Sequence, residues 1–324
     1  MLLFAKHRGL TSFSSLGVIK RALGTKKVGH TGTLDSFADG LLVVAVGSLT
    51  RLVSHITLFD KTYDAIISFG TQTDTLDPHG CVICKADLPN IDDFEVAVDR
   101  HTGEITQIPP QYSAIHVNGK RASDIARAGK NVDIPPRSVT VYRAEILDTQ
   151  TVGAGVQYAH VRFFVSKGTY IRCLARDIAK ACGSCAHLIA LRRTAVGSFL
   201  LEDAVGAETL PDFTIQNAVN ALQETDQSCF KENIQLSENH ITDTLRGMTA
   251  DLARECNITP IILKDAHHFD FFHGKLLLKH MFEPMPSETA EYAVFTHDNC
   301  FAGIITGQQT GTRIFLRYAF VIPM

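Results

Sequence analysis

Apolar and polar positions alternate along the chain with two different periods. Phe13, Leu16, Val18, Ile19 and Leu23 recur at helical spacing, which predicts an amphipathic helix over 12–23 with Thr11 or Ser12 as its cap. Residues 41–46 are uninterruptedly apolar, the pattern of a short strand covered on both faces. Residues 63–69 alternate instead, with Tyr63, Ala65, Ile67 and Phe69 on one side, so a half-buried strand is expected there. Further strands are expected over 139–147 and 156–165, and a helix over 91–101. Ile171, Leu174, Ala175 and Ile178 fall at i, i+3, i+4 and i+7 and predict a helix over 170–181, with Thr169 as N-cap. Arg172 then lies in its first turn, either aimed at a neighbouring site or turned to solvent. Residues 71–80 read as a polar turn, and Pro109-Pro110 forces an extended loop over 107–112.

Beyond residue 202 the character changes. Residues 223–237 are polar and linker-like, and five strands are expected after them, over 259–263, 275–280, 292–297, 301–307 and 313–320. The division that follows is a domain over 1–236 and a smaller β-rich one over 237–324. Lys6 and Arg8 interrupt the apolar opening, and residues 41–46 fall far short of the ~20 residues a membrane helix needs. The expected location is cytoplasmic, with no membrane contact.

A net charge of −3 conceals an uneven distribution. Residues 202–324 carry 17 acidic and 8 basic side chains; residues 1–201 carry the other 17 acids against 23 bases, a balance of +6. A nucleic-acid partner requires a local basic face rather than a basic whole, although the same excess also suits an ordinary solvated surface. Cys81 and Cys84 stand at metal-like spacing, as do Cys182 and Cys185, but the pairs are too far apart in sequence for a zinc ribbon. Buried free cysteines are the expected reading, and neither a metal nor a cofactor is implied.

The candidate chemistry starts at Asp35, in the stretch Gly29-His30-Thr31-Gly32-Thr33-Leu34-Asp35-Ser36-Phe37-Ala38-Asp39-Gly40. Such a loop presents a single carboxylate between glycine-rich turns and a buried strand. It also suits an ordinary turn, or an N-cap for a short helix over 36–38. It is not a phosphate loop, because the Gly-Lys-Ser/Thr ending is missing.

Other segments accompany it in a fixed order: Lys61-Thr62-Tyr63-Asp64, Gly70-Thr71-Gln72-Thr73-Asp74-Thr75-Leu76-Asp77, Gln107-Ile108-Pro109-Pro110-Gln111-Tyr112-Ser113-Ala114, Ser166-Lys167-Gly168-Thr169-Tyr170-Ile171-Arg172 and Ala186-His187-Leu188-Ile189-Ala190-Leu191-Arg192-Arg193-Thr194. In this order they resemble the TruB family of tRNA pseudouridine synthases over residues 1 to about 200. The resemblance implies an α/β (α+β) pseudouridine synthase fold, with a central mixed, largely antiparallel sheet flanked by helices. It implies isomerisation of uridine 55 in the T-loop of tRNA, with no cofactor or metal and no obligatory protein partner, by a monomer.

On that resemblance Asp35 is the nucleophile, acting at C1′ or through a glycal, and Arg172 is its charge partner. Tyr63 stacks on the base and is able to relay the C5 proton. Tyr170 and Leu191 line the uracil pocket, Asp77 joins the hydrogen-bond network, and His30 fills the space left by a flipped base. Lys26, Lys27, Arg51, Lys120, Arg121, Arg127, Arg192 and Arg193 are candidate phosphate contacts. Phe272-His273-Gly274-Lys275-Leu276 and the stretch from Val294 to Ile304 resemble a PUA-type RNA-binding domain. The chain departs from the family pattern at Ser36, where proline is usual, at Asp39, where threonine is usual, and at His116, where lysine is common. Two other readings stand beside the enzyme: a tRNA-binding or tRNA-folding protein on the same scaffold, and a synthase guided by a separate RNA.

Overall fold

The computed structural model describes all residues except 114, 118, 131, 224–237, 311, 312, 323 and 324. Backbone contacts divide it into two compact units, one of Leu2–Ala45 and Val53–Thr244, the other of Leu245–Met324 with Met1 and Val46–Leu52. Most of the linker-like stretch 223–237, and the 236/237 boundary, lie outside the described residues. Helix Glu238–Asp243 packs on the helix Ser12–Ala22 within the larger unit, so the contacts place the division at Leu245.

The larger unit is built on a nine-stranded sheet. Its elements, in chain order, are β1 (Leu2–Lys6), α1 (Ser12–Ala22), β2 (Asp39–Val46), β3 (Lys61–Phe69), the hairpin β4 (Thr71–Thr73) and β5 (Val82–Lys85), α2 (Ile91–Arg100), β6 (Gly103–Gln107), β7 (Arg137–Val152), β8 (Gly155–Val165), α3 (Ile171–Ala181), β9 (Ala186–Val196) and α4 (Ile215–Gln223). The sheet runs β1-β2-β9-β3-β8-β7-β6, with Val28–His30 added beside β2 and Phe199–Leu200 beside β9. Along that order every pairing is antiparallel except β2 with β9, where Arg192 faces Asp39 and Arg193 faces Gly40.

Alternation in β3 delivers Ala65, Ile67 and Phe69 to one face, where β8 supplies Val161 and Phe163 and α3 supplies Ile171, Leu174, Ala175 and Ile178. Leu34, Phe37 and Ala38 of the Asp35 loop belong to the same cluster, so the loop is seated on the core by its apolar members. The opposite face of β3 is covered too: Ile66 and Ile189 pack on Ile215 and Ala218 of α4. Burying both faces explains why β2 reads as continuously apolar.

Several local expectations give way to tertiary context. Residues 36–38 form a turn closed by Ala38 N–H on the Asp35 carbonyl at 3.2 Å, not a helix, because β2 begins at Asp39. The Thr169 hydroxyl donates back to the Ser166 carbonyl at 2.9 Å; Tyr170 holds the N-cap position of α3 without a side-chain cap bond. The polar turn over 71–80 begins as the strand β4. In the smaller unit, Thr259–Leu263, Phe282–Glu283, Glu291–Phe295, Phe301–Thr310 and Arg313–Val321 form a five-stranded sheet. Residues 275–280 are not part of it. Leu277 alone of that stretch is buried while Leu276 and Leu278 are exposed, and the chain turns into a 3₁₀ segment at Lys279.

Gly40 marks the tightest approach to another backbone among the described glycines of the larger unit. Its φ of +107° is one that residues with a side chain rarely adopt, and a Cβ there would collide with the Arg193 backbone across the parallel pairing. Gly40→Ala is therefore expected to destabilise the protein by about 2–4 kcal/mol in urea unfolding, against below ~1 kcal/mol for Gly24→Ala, whose φ is also positive but whose surroundings are open.

Candidate active site

Arg172 is the structural centre of the site. Its guanidinium is 4% exposed, and the first turn of α3 directs it across the cluster toward the Asp35 loop. Nε lies 2.9 Å from one Asp35 carboxylate oxygen and Nη2 donates to the other at 3.1 Å, a forked pairing. Nη1 donates to the Thr75 carbonyl at 2.8 Å, and Nη2 also donates to the Tyr112 carbonyl at 2.9 Å. The Asp77 carboxylate stands 3.7 Å from Nη1 and is itself held by the Thr75 hydroxyl at 2.7 Å and the His79 N–H at 3.0 Å. Segments far apart in sequence thus converge on a single side chain.

Asp35 keeps an open side. Its side chain is 36% exposed, although protein surrounds it on most sides. Desolvation pushes its carboxyl above the usual carboxylate range; the Arg172 guanidinium opposes this, and the Asp77 charge adds to it. The pairing offsets part of the cost of burying the carboxylate, and the open side leaves room for a ligand.

Gln107 is fully buried at the end of β6. Its amide donates to the Tyr170 carbonyl at 3.1 Å and accepts from the Tyr170 N–H at 2.8 Å, which fixes the start of α3 just ahead of Arg172. Tyr170 is half-buried, and burial raises its phenol pKa. Tyr63 is also half-buried and packs against the cluster that contains Leu191, Leu34 and Phe37. His30 Nδ1 accepts from Gly32 N–H at 3.4 Å; burial and then the nearby Arg193 charge lower its pKa, so the ring is neutral at pH 7.

Lys26, Lys27, Lys120 and Arg121 are exposed on the larger unit, and Arg127 is exposed beside Asp124. Arg51, in the smaller unit, lies over the Phe320 ring at 5.1 Å. Two expected phosphate contacts are corrected. Arg193 is 1% exposed, with Nε on the Leu41 carbonyl at 2.8 Å and Nη2 on the Gly32 carbonyl at 3.2 Å, so it braces the Asp35 loop from below. Arg192 forks onto Asp39 at 2.6 and 2.9 Å and stacks on Phe213. The acid that departs from the family pattern is thus the partner of a buried arginine. Lys6 went unrecognised in the sequence except as an interruption of an apolar run. It is 0% exposed and donates to the Ala38 carbonyl at 2.6 Å, beneath the same loop. Burial pushes its amine down to about 7, against the pull of Asp39 and Asp35. Its sequence signal was a lysine closing a strand that is otherwise wholly apolar.

A forked carboxylate–guanidinium pair with one side of the carboxylate exposed, carried on this sheet, defines an enzyme site built on an oriented carboxylate. Residues 20–171 match the family model for the N-terminal domain of TruB family pseudouridylate synthase, and residues 172–238 match that for the tRNA pseudouridylate synthase B C-terminal domain. The chain is 43% identical to the tRNA pseudouridine synthase B of Treponema denticola over 276 residues, 81% of this chain and 73% of that one. It is 45% identical to that of Treponema pallidum over 230 residues, 65% of this chain and 63% of that one. The fold is shared with the solved structure of a Cbf5-Nop10-Gar1 complex, at a TM-score of 0.66 and 23% identity, over 99% of this chain and 84% of that one. The chain belongs to the TruB family of pseudouridylate synthases.

Two outcomes follow from these charges. Asp39→Ala leaves the buried Arg192 without its partner and is expected to cost about 3 kcal/mol in urea unfolding, with Asp39→Ala/Arg192→Met recovering much of it. Lys6 binds its proton less tightly folded, at about 7, than unfolded, at the ordinary lysine value of 10.5. Between those values the unfolded chain holds more protons, so this residue makes stability rise with pH there, and Lys6→Met should remove that part of the rise from unfolding curves taken at pH 7 to 10.

Proposed function

We propose that this TruB-family enzyme converts the uridine at position 55 of the tRNA T-loop to pseudouridine, with Asp35 as nucleophile. Uridine-to-pseudouridine isomerisation in tRNA follows from the family and its named relatives. The observation that carries the assignment to Asp35 is the Arg172 fork, which orients the carboxylate with one side open.

The reaction breaks the C1′–N1 bond, turns the base and joins C1′ to C5; the C5 proton departs and N1 gains one, so no atom is lost. A target base stacked in a folded loop must first leave it, at a cost of a few kcal/mol. His30, neutral and on the glycine loop ahead of Asp35, fills the vacated space. Tyr63 stacks on the flipped base and accepts the C5 proton on the way to solvent. Leu191 and Tyr170 bound the uracil, and Asp77 steadies Arg172 from the far side. The exposed Lys26, Lys27, Lys120 and Arg121 contact phosphates, each adding roughly one unit to the log–log salt slope. The smaller unit serves as a PUA-like RNA-binding domain, and the enzyme acts as a monomer.

Release of label from C5 of uridine in an unmodified tRNA transcript tests this reading. Wild-type protein should release it, Asp35→Asn should not, and a transcript with cytidine at position 55 should retain its remaining label. Binding without release by the wild type would leave only a tRNA-binding or tRNA-folding role. Arg172→Lys should lose about a hundredfold in turnover at nearly unchanged tRNA affinity, because a point charge cannot reproduce the fork. A proportional loss of affinity would argue against that role.

A further inference from the structure

The two Cys-x-x-Cys segments, remote in sequence, meet in the fold. Gly70, just past the end of β3, joins them: its N–H donates to the Cys185 carbonyl at 2.9 Å, and its carbonyl accepts from Ala86 N–H at 3.1 Å. The Ser184 hydroxyl reaches the Asp87 carbonyl at 2.7 Å, and His187 Nδ1 lies 2.9 Å from the Thr71 carbonyl. These ties bring the segment that carries the exposed Cys84 of β5 alongside the buried Cys185 at the start of β9, both thiols being free, and the Cys185 thiol feels Cys84 as a neighbour. The outer cysteines point elsewhere. The Cys182 thiol donates to the Ile178 and Ala179 carbonyls in the last turn of α3, at 3.3 and 3.2 Å, and Cys81 is exposed in the hairpin turn. Among the described residues no group of three or more Cys, His, Asp or Glu is arranged to hold a metal ion. What the fold assembles is a pair.

We propose that Cys84 and Cys185 form a disulfide when the protein meets a small-molecule disulfide of the glutathione type, stapling the β4–β5 hairpin to β9. Nothing in this inference depends on the proposed reaction. The accessible Cys84 thiolate attacks one sulfur of the oxidised tripeptide, breaking its S–S bond and releasing one glutathione thiolate. Cys185 then gives up its proton to solvent and attacks Sγ of Cys84, and the second glutathione leaves. Two electrons pass from the protein sulfurs to the glutathione disulfide. Burial, followed by the neighbouring Cys84, pushes the Cys185 thiol up to about 11, so the closing step is slow at neutral pH and accelerates as pH rises.

The position gives the bond its consequence. The turn of this hairpin supplies the Thr75 carbonyl and the Asp77 carboxylate to Arg172. Beyond the turn, Leu188 N–H on the Leu76 carbonyl, at 3.2 Å, fastens it to β9. A bond from Cys84 to Cys185 adds a covalent tie at the open end of the hairpin, next to the support of the Asp35–Arg172 pair.

The test is to incubate the full chain with oxidised glutathione at pH 8 and to map peptides without reduction. The expected product is a single Cys84–Cys185 link with the loss of two hydrogens, formed several times faster at pH 9. Cys84→Ser should give no link to Cys185, and Cys185→Ser should accumulate the glutathione adduct on Cys84. The linked wild type should melt about 5 °C higher than the reduced protein, a shift absent in Cys84→Ser. Links within Cys81–Cys84 or Cys182–Cys185, or a Cys81–Cys185 link that persists in Cys84→Ser, would overturn the pairing. So would unmodified Cys84 in protein whose other exposed thiols have reacted. A Cys84–Cys185 link with no rise in melting temperature would overturn the staple.

Discussion

A buried guanidinium is tolerable only when its donors are met, and in this fold that requirement organises the site. Arg172 satisfies them with the carbonyls of Thr75 and Tyr112 and with the Asp35 carboxylate, drawing each from a different part of the chain. The pair is therefore more than a local contact. The hairpin, the proline loop, the helix start and the glycine loop must all be in place before the arginine is solvent-free at no penalty. The same pairing opposes the desolvation that pushes the Asp35 carboxyl upward.

Beneath the loop a second tier of charge does the supporting. Lys6, Arg193 and the Asp39–Arg192 pair surround the base of the loop and bond to backbone carbonyls or to one another. Their cations leave the loop no freedom to sink into the core, while Leu34 and Phe37 prevent it from lifting away. Asp39 illustrates how a departure from a family pattern is absorbed: the added carboxylate is paired with an arginine on the neighbouring strand, without reaching the Asp35 carboxylate.

What could be read from the sequence was what a periodic pattern or a distinctive residue string encodes. The alternation of β3, the i, i+4 stripe of α3 and the Asp35, Tyr63 and Arg172 segments all carry such signals, and the fold places them on one apolar cluster and its rim. Burial of charge carries none. Arg192 and Arg193 look like surface cations in a list of residues, and only the parallel pairing of β2 with β9 reveals that both are enclosed. Lys6 was hidden for the same reason. Residues 275–280 failed differently, because three consecutive leucines suggest a strand while giving no sign that a partner edge is missing. The meeting of the two cysteine segments depends on where Gly70 turns the chain, which neither segment encodes.

The parallel pairing of β2 with β9 also sets a timetable for the nascent chain. Asp35 is synthesised early, but its loop lacks both its floor and its charge partner until Arg172, Arg192 and Arg193 have been added. At ordinary elongation rates that interval is about ten seconds. Throughout it, β2 has only β1 and the short Val28–His30 strand beside it, and the stretch that pairs with β9 stands uncovered in the crowded surroundings of the ribosome. The segment that carries Asp35 is therefore the one most in need of protection during biosynthesis.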